Sequence, residues 1–271
     1  MTHSDIMKPL SISRLFSRLE KSLQSAHPCL QQRANPVLSG LLRGRIRGAQ
    51  GVQILEQYSL LPANIVSILS AMGNRLAEWD NVTEELRRNV DEEKGTGTSG
   101  IPHFVILKRG LKRELGVNVD EVVPNAGTSC FLDGLRRAIA DQTPAFVAGM
   151  AYALEDSALP ELEIVALAIN ASARALGQCG DVIRPSAMSS RAHCEQLRAT
   201  KDASNYTLED FFVVHLQDFE VGHKKGLSDT IAEYLRNAAD AADFACGFEY
   251  VLKAMDEWWE GLALLESPSA T

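Results

Sequence analysis

Two histidines and two carboxylates fall within nine residues of one apolar stretch, Phe211-Phe212-Val213-Val214-His215-Leu216-Gln217-Asp218-Phe219-Glu220-Val221-Gly222-His223. Imidazoles and carboxylates set among large apolar side chains are the donors that a buried metal ion requires. Thr207, with Asp210 three residues later, marks a helix start: the hydroxyl caps free backbone N–H groups and the acid favours the positive end of the helix. On such a helix Glu220 and His223 lie about 60° apart, so both can face one centre. His215 lies about 140° from Glu220 and would be aimed elsewhere. One extra residue taken up as a π-bulge between them restores a shared face, and the spacing predicts that bulge or an equivalent distortion. Without it, His215 is a hydrogen-bonded core histidine.

Further ligands must come from other helices. Glu93 ends an acidic helix and His103 begins the next, with the turn Lys94-Gly95-Thr96-Gly97-Thr98-Ser99-Gly100 between them; three glycines in that turn stop the helix and let both side chains reach one point. Glu155 sits in Gly149-Met150-Ala151-Tyr152-Ala153-Leu154-Glu155, so apolar that both helix faces are expected to be covered, and a carboxylate there needs a partner or a metal. Glu93, His103, Glu155, His215, Glu220 and His223 together give three carboxylates and three imidazoles with no thiolate. That set suits a redox-active iron or manganese pair better than structural zinc, and helical bundles build such centres from inward-facing Glu and His. The other histidines, His3, His27 and His193, are expected at the surface. Tyr152, Trp79, Phe211 and Phe212 are candidate pocket groups, with ordinary core packing as the alternative.

The elements that must position these residues are helices. Apolar residues recur at helical spacing almost throughout, and strict alternation over strand lengths is scarce. Helices are predicted over 11–25, 36–46, 52–60, from Pro62 through Leu76, over 81–93, from Pro102 to a stop at Gly116, and over 131–140. Thr143-Pro144 opens another through Glu155, Pro160 begins a further one that Gly177 closes, and 228–265 reads as one long segment. The stretch 181–205 is polar and weakly periodic, and is the expected mobile cover. The chain of 271 residues is expected to form a single all-α domain over 1–271, with 1–10 and 266–271 as flexible ends.

A net charge of −8 and a pI near 5.3 argue against nucleic acid as a partner, because that binding rests on basic side chains displacing counterions. The run Leu42-Arg43-Gly44-Arg45-Ile46-Arg47 is too short to reverse this. The cysteines Cys29, Cys130, Cys179, Cys194 and Cys246 are odd in number and contain no C-x-x-C pair, so neither a disulfide framework nor a zinc ribbon is indicated. No apolar run long enough for a membrane span or a signal peptide is present, and a cytoplasmic location is expected.

The combination of Asn89-Val90-Asp91-Glu92-Glu93-Lys94-Gly95-Thr96-Gly97 with His103, Tyr152-Ala153-Leu154-Glu155 with Pro160-Glu161-Leu162, and His215 through Glu220-Val221-Gly222-His223-Lys224 resembles the haem-oxygenase-like di-iron oxidases. That group includes the chlamydial death-domain-associating protein and relatives of thiaminase II and pyrroloquinoline-quinone synthase. The resemblance covers roughly residues 56–226. It implies a bundle of about seven core helices, two Fe(II) ions with manganese as the alternative, dioxygen as co-substrate, and oxidation of a small, amino-acid-derived molecule by N-oxygenation, desaturation or C–C cleavage. Glu93, His103, Glu155, His215, Glu220 and His223 would be the ligands, with Glu155 the candidate bridge and Glu155 and His215 the catalytic pair. The family's last site helix usually reads His-x-x-x-Asp-x-x-His, whereas here four residues separate His215 from Glu220. Asp218 is therefore the substitute ligand if that helix is not bulged. Glu56 is the choice for an extra ligand from an earlier helix, with Glu85 and Glu92 as competitors, and a homodimer is the assembly this fold suggests. A metal-free enzyme of the same fold and a non-enzymatic helical interaction protein are the rival readings.

Overall fold

The computed structural model describes residues 9–265, apart from the side chains of residues 9–11 and 219–221, and among the described residues it contains helices and no strand. In chain order the helices are α1 (Pro9–Ala26), α2 (Pro36–Leu42), α3 (Gly48–Tyr58), α4 (Leu60–Arg75), α5 (Asp80–Glu93), α6 (His103–Leu115), α7 (Ala126–Asp141), α8 (Pro144–Ala175), α9 (Pro185–Met188), α10 (Arg191–Thr200), α11 (Leu208–Val214), α12 (Glu220–Ile231) and α13 (Ala238–Ala263). A π-helical turn, His215–Phe219, joins α11 to α12. Local chemistry sets many of the starts: Asn35, Asn125 and Thr143 each accept a hydrogen bond from a backbone N–H two or three positions into the helix that follows, relieving donors that have no intrahelical partner.

The bundle is organised around α8, which is buried on nearly every side, as expected of a helix that is apolar all round. It packs along α13, and α2, α3, α4 and α12 close around it. The α8–α13 contact depends on two glycines. A Cβ at Gly149 would lie 2.0 Å from the Phe244 carbonyl oxygen, and one at Gly247 would lie 1.9 Å from that of Phe146. Each helix therefore lays its backbone into the gap left by the other's missing side chain.

Five sequence expectations are corrected. Pro160 does not start a helix but lies inside α8; its missing N–H leaves the Asp156 carbonyl without its helical donor, and packing on both flanks carries the helix through, so tertiary context overrides propensity. Helix α2 ends at Leu42 rather than near residue 46, because the N–H groups of Arg45 and Ile46 turn back onto the Gly40 carbonyl. The stretch 181–205 is built from α9, α10 and a 3₁₀ turn at Ala203–Asn205, and 228–265 is divided between the end of α12 and α13. His27 is buried instead of exposed: Nδ1 lies 2.7 Å from Asp256 and Nε2 3.0 Å from Glu249 on α13, which fastens the end of α1 to the bundle. His193 is half-buried, and His3 lies outside the described residues.

Two outcomes follow for stability. Gly149→Ala and Gly247→Ala should each destabilise by about 1–3 kcal/mol through overpacking, whereas Gly261→Ala, on an exposed stretch of α13 with open space at its Cβ, should be neutral or stabilising; urea unfolding compares them. The second concerns pH. Burial opposes a charge on His27, but the hydrogen bonds to Asp256 and Glu249 outweigh it and raise its pKa above the usual 6.5. That contribution is complete below the unfolded value and is lost as pH rises through the raised folded value. His27→Gln should therefore flatten the decline in unfolding free energy as pH rises above about 6.5.

Candidate metal centre

The glycine-rich turn after α5 does what the sequence required of it. Gly95, Gly97 and Gly100 adopt positive φ angles of 113°, 88° and 77°, and a Cβ at Gly95 would strike the backbone of Gly100 and Ile101 at 2.5–2.8 Å. The tight reversal sets Glu93, the last residue of α5, beside His103, the first of α6: Glu93 Oε1 lies 3.3 Å from His103 Nδ1. Helix α11 packs on α6 and brings His215 Nε2 to 3.1 Å from the same nitrogen. One ligand atom from each of these three residues lies within 4.8 Å of the others. Donor atoms sharing one ion through bonds of about 2.1 Å sit roughly 3.0–3.4 Å apart, so the spacing fits a shared cation.

The hydrogen bonding points the same way. His215 Nδ1 is 2.7 Å from the Phe211 carbonyl, an acceptor, so this nitrogen carries the proton and Nε2 presents a lone pair to the centre. Burial, reinforced by His103, lowers the His215 pKa to about 3 and keeps the ring neutral. His103 Nδ1 faces both this lone pair and the Glu93 carboxylate, and a single proton cannot lie on both lines. A cation among the three would satisfy all of them. Burial alone would raise the Glu93 carboxyl, yet its bond to His103 holds it below the usual range.

A second group adjoins the first. Helix α12 packs against both α5 and α8 and inserts His223 between them, with Nε2 2.7 Å from Glu92 Oε2 and Nδ1 3.3 Å from Glu155 Oε2. Glu155 also accepts from Asn89 Nδ2 at 3.1 Å. With Nε2–H donating to Glu92, Nδ1 is left to offer its lone pair beside the Glu155 carboxylate, the arrangement by which a carboxylate orients a metal-bound histidine. The next residue along each helix reinforces the register: Lys224 Nζ pairs with Asp156 at 2.6 Å and with Glu20 at 2.9 Å.

Both groups border a cavity of about 100 Å³ lined by Glu93, His103, Glu155, His215 and His223 at one end and elsewhere mainly by apolar residues of α4, α6 and α8, with Tyr58 and Glu161 among them. The π-turn at His215–Phe219 is the predicted distortion, and the Thr207–Asp210 capping box is formed. The side chain of Glu220 lies outside the described residues. Asp218 does not join the cluster, since the bulge aims it at Arg198, with which it pairs. Glu56 does not line the cavity either; it is half-buried on α3, and the register of that helix turns it away. Of its competitors, Glu92 reaches His223, and Glu85 packs on Gly226 and pairs with Arg88. Phe211 lines the cavity, whereas Trp79 stacks on Tyr234, Phe212 is core, and Tyr152 directs its hydroxyl to Glu20. Sequence reasoning assigned no site role to Asn89 or Glu161. Glu161 is buried in the cavity wall; reading Pro160 as a helix start made it a solvated first-turn acid, although an acid between Leu159 and Leu162 was itself a signal of burial.

Residues 13–174 and 197–265 match the family model described as a domain of unknown function with a solved structure, DUF3865. The chain belongs to the DUF3865 family. Both matched segments carry the cluster: Glu93, His103 and Glu155 fall in the first, His215 and His223 in the second, and the unmatched 175–196 takes in α9 and the start of α10. The DUF3865 chain is also similar to crystal structures of a CADD-like protein of unknown function from Nostoc punctiforme. One, at 2.00 Å, has 27% identity and a TM-score of 0.75, covering 94% of this chain and 97% of that one. The other, at 1.35 Å, has 28% identity and a TM-score of 0.76, covering 94% and 95%. Among curated proteins none matches. Similarity to CADD-like proteins supports the helical, haem-oxygenase-like architecture expected from the sequence.

The Lys224–Asp156 pair yields a test of this DUF3865 site's scaffold. Burial raises the Asp156 carboxyl and Lys224 opposes it, so Lys224→Met should cost about 3 kcal/mol by stranding a buried acid. Adding Asp156→Asn should recover a large part of that loss in urea unfolding.

Proposed function

We propose that this protein is a non-haem, dinuclear-iron oxidase or oxygenase that uses dioxygen to oxidise a small, amino-acid-derived molecule, with manganese as the alternative metal. The observation that carries this reading is the convergence of Glu93, His103 and His215 with Glu155 and His223 at one end of a cavity whose remaining wall is mainly apolar. The donor set fits: imidazole nitrogens and carboxylate oxygens without thiolate suit iron or manganese. Glu93, His103 and His215 would hold one ion, and Glu155 and His223 the second, with Glu220 the further ligand assigned from the sequence. Two ferrous ions held there would supply two of the electrons that dioxygen reduction needs, and the substrate being oxidised would supply the others.

The chain's own residues do the remaining work. The Phe211 carbonyl fixes the tautomer of His215, and Glu92 fixes the ring of His223. Asn89 donates to one Glu155 oxygen and leaves the other for the centre. The apolar walls exclude water, which protects reactive species and strengthens every interaction inside. Glu93 and Glu155 have histidine partners rather than Arg or Lys, which speaks against the reading as an interaction module. One observation favours the metal-free enzyme as the second reading: each His223 nitrogen faces a carboxylate, the layout of a general acid–base group.

Anaerobic titration of the metal-free chain with ferrous iron separates these readings. Two equivalents are expected, with about one retained in His103→Ala and about one in His223→Ala. Mixing the native loaded protein with dioxygen should then change the visible spectrum, and this change should vanish in both variants. A folded native chain that takes up no iron would sink the di-iron reading.

A further inference from the structure

The cavity has a second polar end that the metal reading leaves unused. Leu154, Ala158, Glu161 and Leu162 share the face of α8 that forms its wall. Glu161 lies six residues beyond Glu155, or about 9 Å along a helix rising 1.5 Å per residue. Its side chain is buried, and its hydrogen-bond partner is the indole Nε1 of Trp259, which donates to Oε1 at 3.2 Å. Tyr58, tilted against Trp259 with ring centroids 5.6 Å apart, lines the cavity beside it. Among the described residues lining the cavity there is no Lys or Arg.

A carboxyl and an aromatic ring in the wall of a largely apolar cavity recognise a cation: the acid supplies a charge-assisted hydrogen bond and the ring face adds cation–π attraction. A substrate carboxylate at this end would meet an acid with no basic side chain in the wall. We propose that Glu161, with Tyr58 beside it, receives the amino group of the substrate, and so sets the specificity of the site for a small primary amine whose other end lies toward the Glu155 centre. The inference rests on the oxidase reading for what happens at that other end, but the amine pocket itself stands on the geometry of Glu161. Burial pushes the Glu161 carboxyl up to about 8 despite the Trp259 hydrogen bond, so near pH 7 the free site holds mostly the neutral acid, and a bound ammonium favours its ionisation.

The test measures binding of hexylamine, hexan-1-ol and hexanoate to the ferrous-loaded chain under anaerobic conditions, by calorimetry and by indole fluorescence. Hexylamine should bind at least about tenfold more tightly than hexan-1-ol. Glu161→Gln, which keeps the shape and removes the ionisable acid, should abolish that preference and leave hexan-1-ol unaffected. Equal binding of amine and alcohol by the native chain, or a preference that survives Glu161→Gln, overturns the proposal; the native comparison decides even if the variant does not fold. Iron uptake is read in the same samples. Uptake without amine preference sinks this inference and leaves the metal reading standing, and amine preference without uptake does the reverse.

Discussion

Charge held out of water is the constraint from which the rest of the structure follows. An isolated carboxylate or imidazolium in an apolar bundle is costly, yet Glu155, His103, His215 and His223 are each 5% exposed or less. They are tolerable together because each offers the next what it lacks: His103 faces Glu93 and His215, and His223 faces Glu92 and Glu155. Removing any one member leaves its neighbour as an uncompensated buried group. The cluster therefore ties α5, α6, α8, α11 and α12 to one another, and it can serve a metal because the same groups are already held with lone pairs facing inward.

Backbone irregularity is how the chain meets that constraint. Three of the site residues sit where a helix ends, begins or deforms: Glu93 closes α5, His103 opens α6, and His215 starts the π-turn. A regular α-helix through 208–231 would turn His215 about 140° away from Glu220. The turn is held from outside as well as inside. Gln217 donates to the Met188 carbonyl at 2.6 Å, and Asp218 pairs with Arg198, so α9 and α10 clamp the two bulged residues whose side chains do not enter the centre. The segment that the sequence suggests as a loose cover thus holds the distortion in register.

The sequence carries the π-turn and the α5–α6 junction plainly, because both follow from local rules: an angular mismatch of about 140° and a glycine-rich turn flanked by an acid and an imidazole. Helical class and the inward aim of Glu155 are legible for the same kind of reason. What escapes is decided by packing between distant segments. Pro160 looks like a helix start until α13 and α2 are seen to hold α8 through it. His27 looks solvated until Asp256, far along the chain, closes on it. Glu56 and Asp218 carry the right chemistry, but helix register, in one case shifted by the bulge itself, turns both away from the centre.

The misreading of Pro160 bears directly on what the cavity does. With a helix starting there, Glu161 would be a solvated acid, of use to no substrate. With α8 continuous, Glu155 and Glu161 lie on one rod. The helix packed against them, α13, supplies the indole that holds Glu161 and crosses α8 at a distance set by Gly149 and Gly247. The separation between a multi-donor end and a single-carboxyl end is then a property of the scaffold, fixed at about six helical rises, and not of mobile loops. An apolar channel of defined length with different chemistry at each end selects by reach as well as by charge. A molecule too short to span it can satisfy one end only.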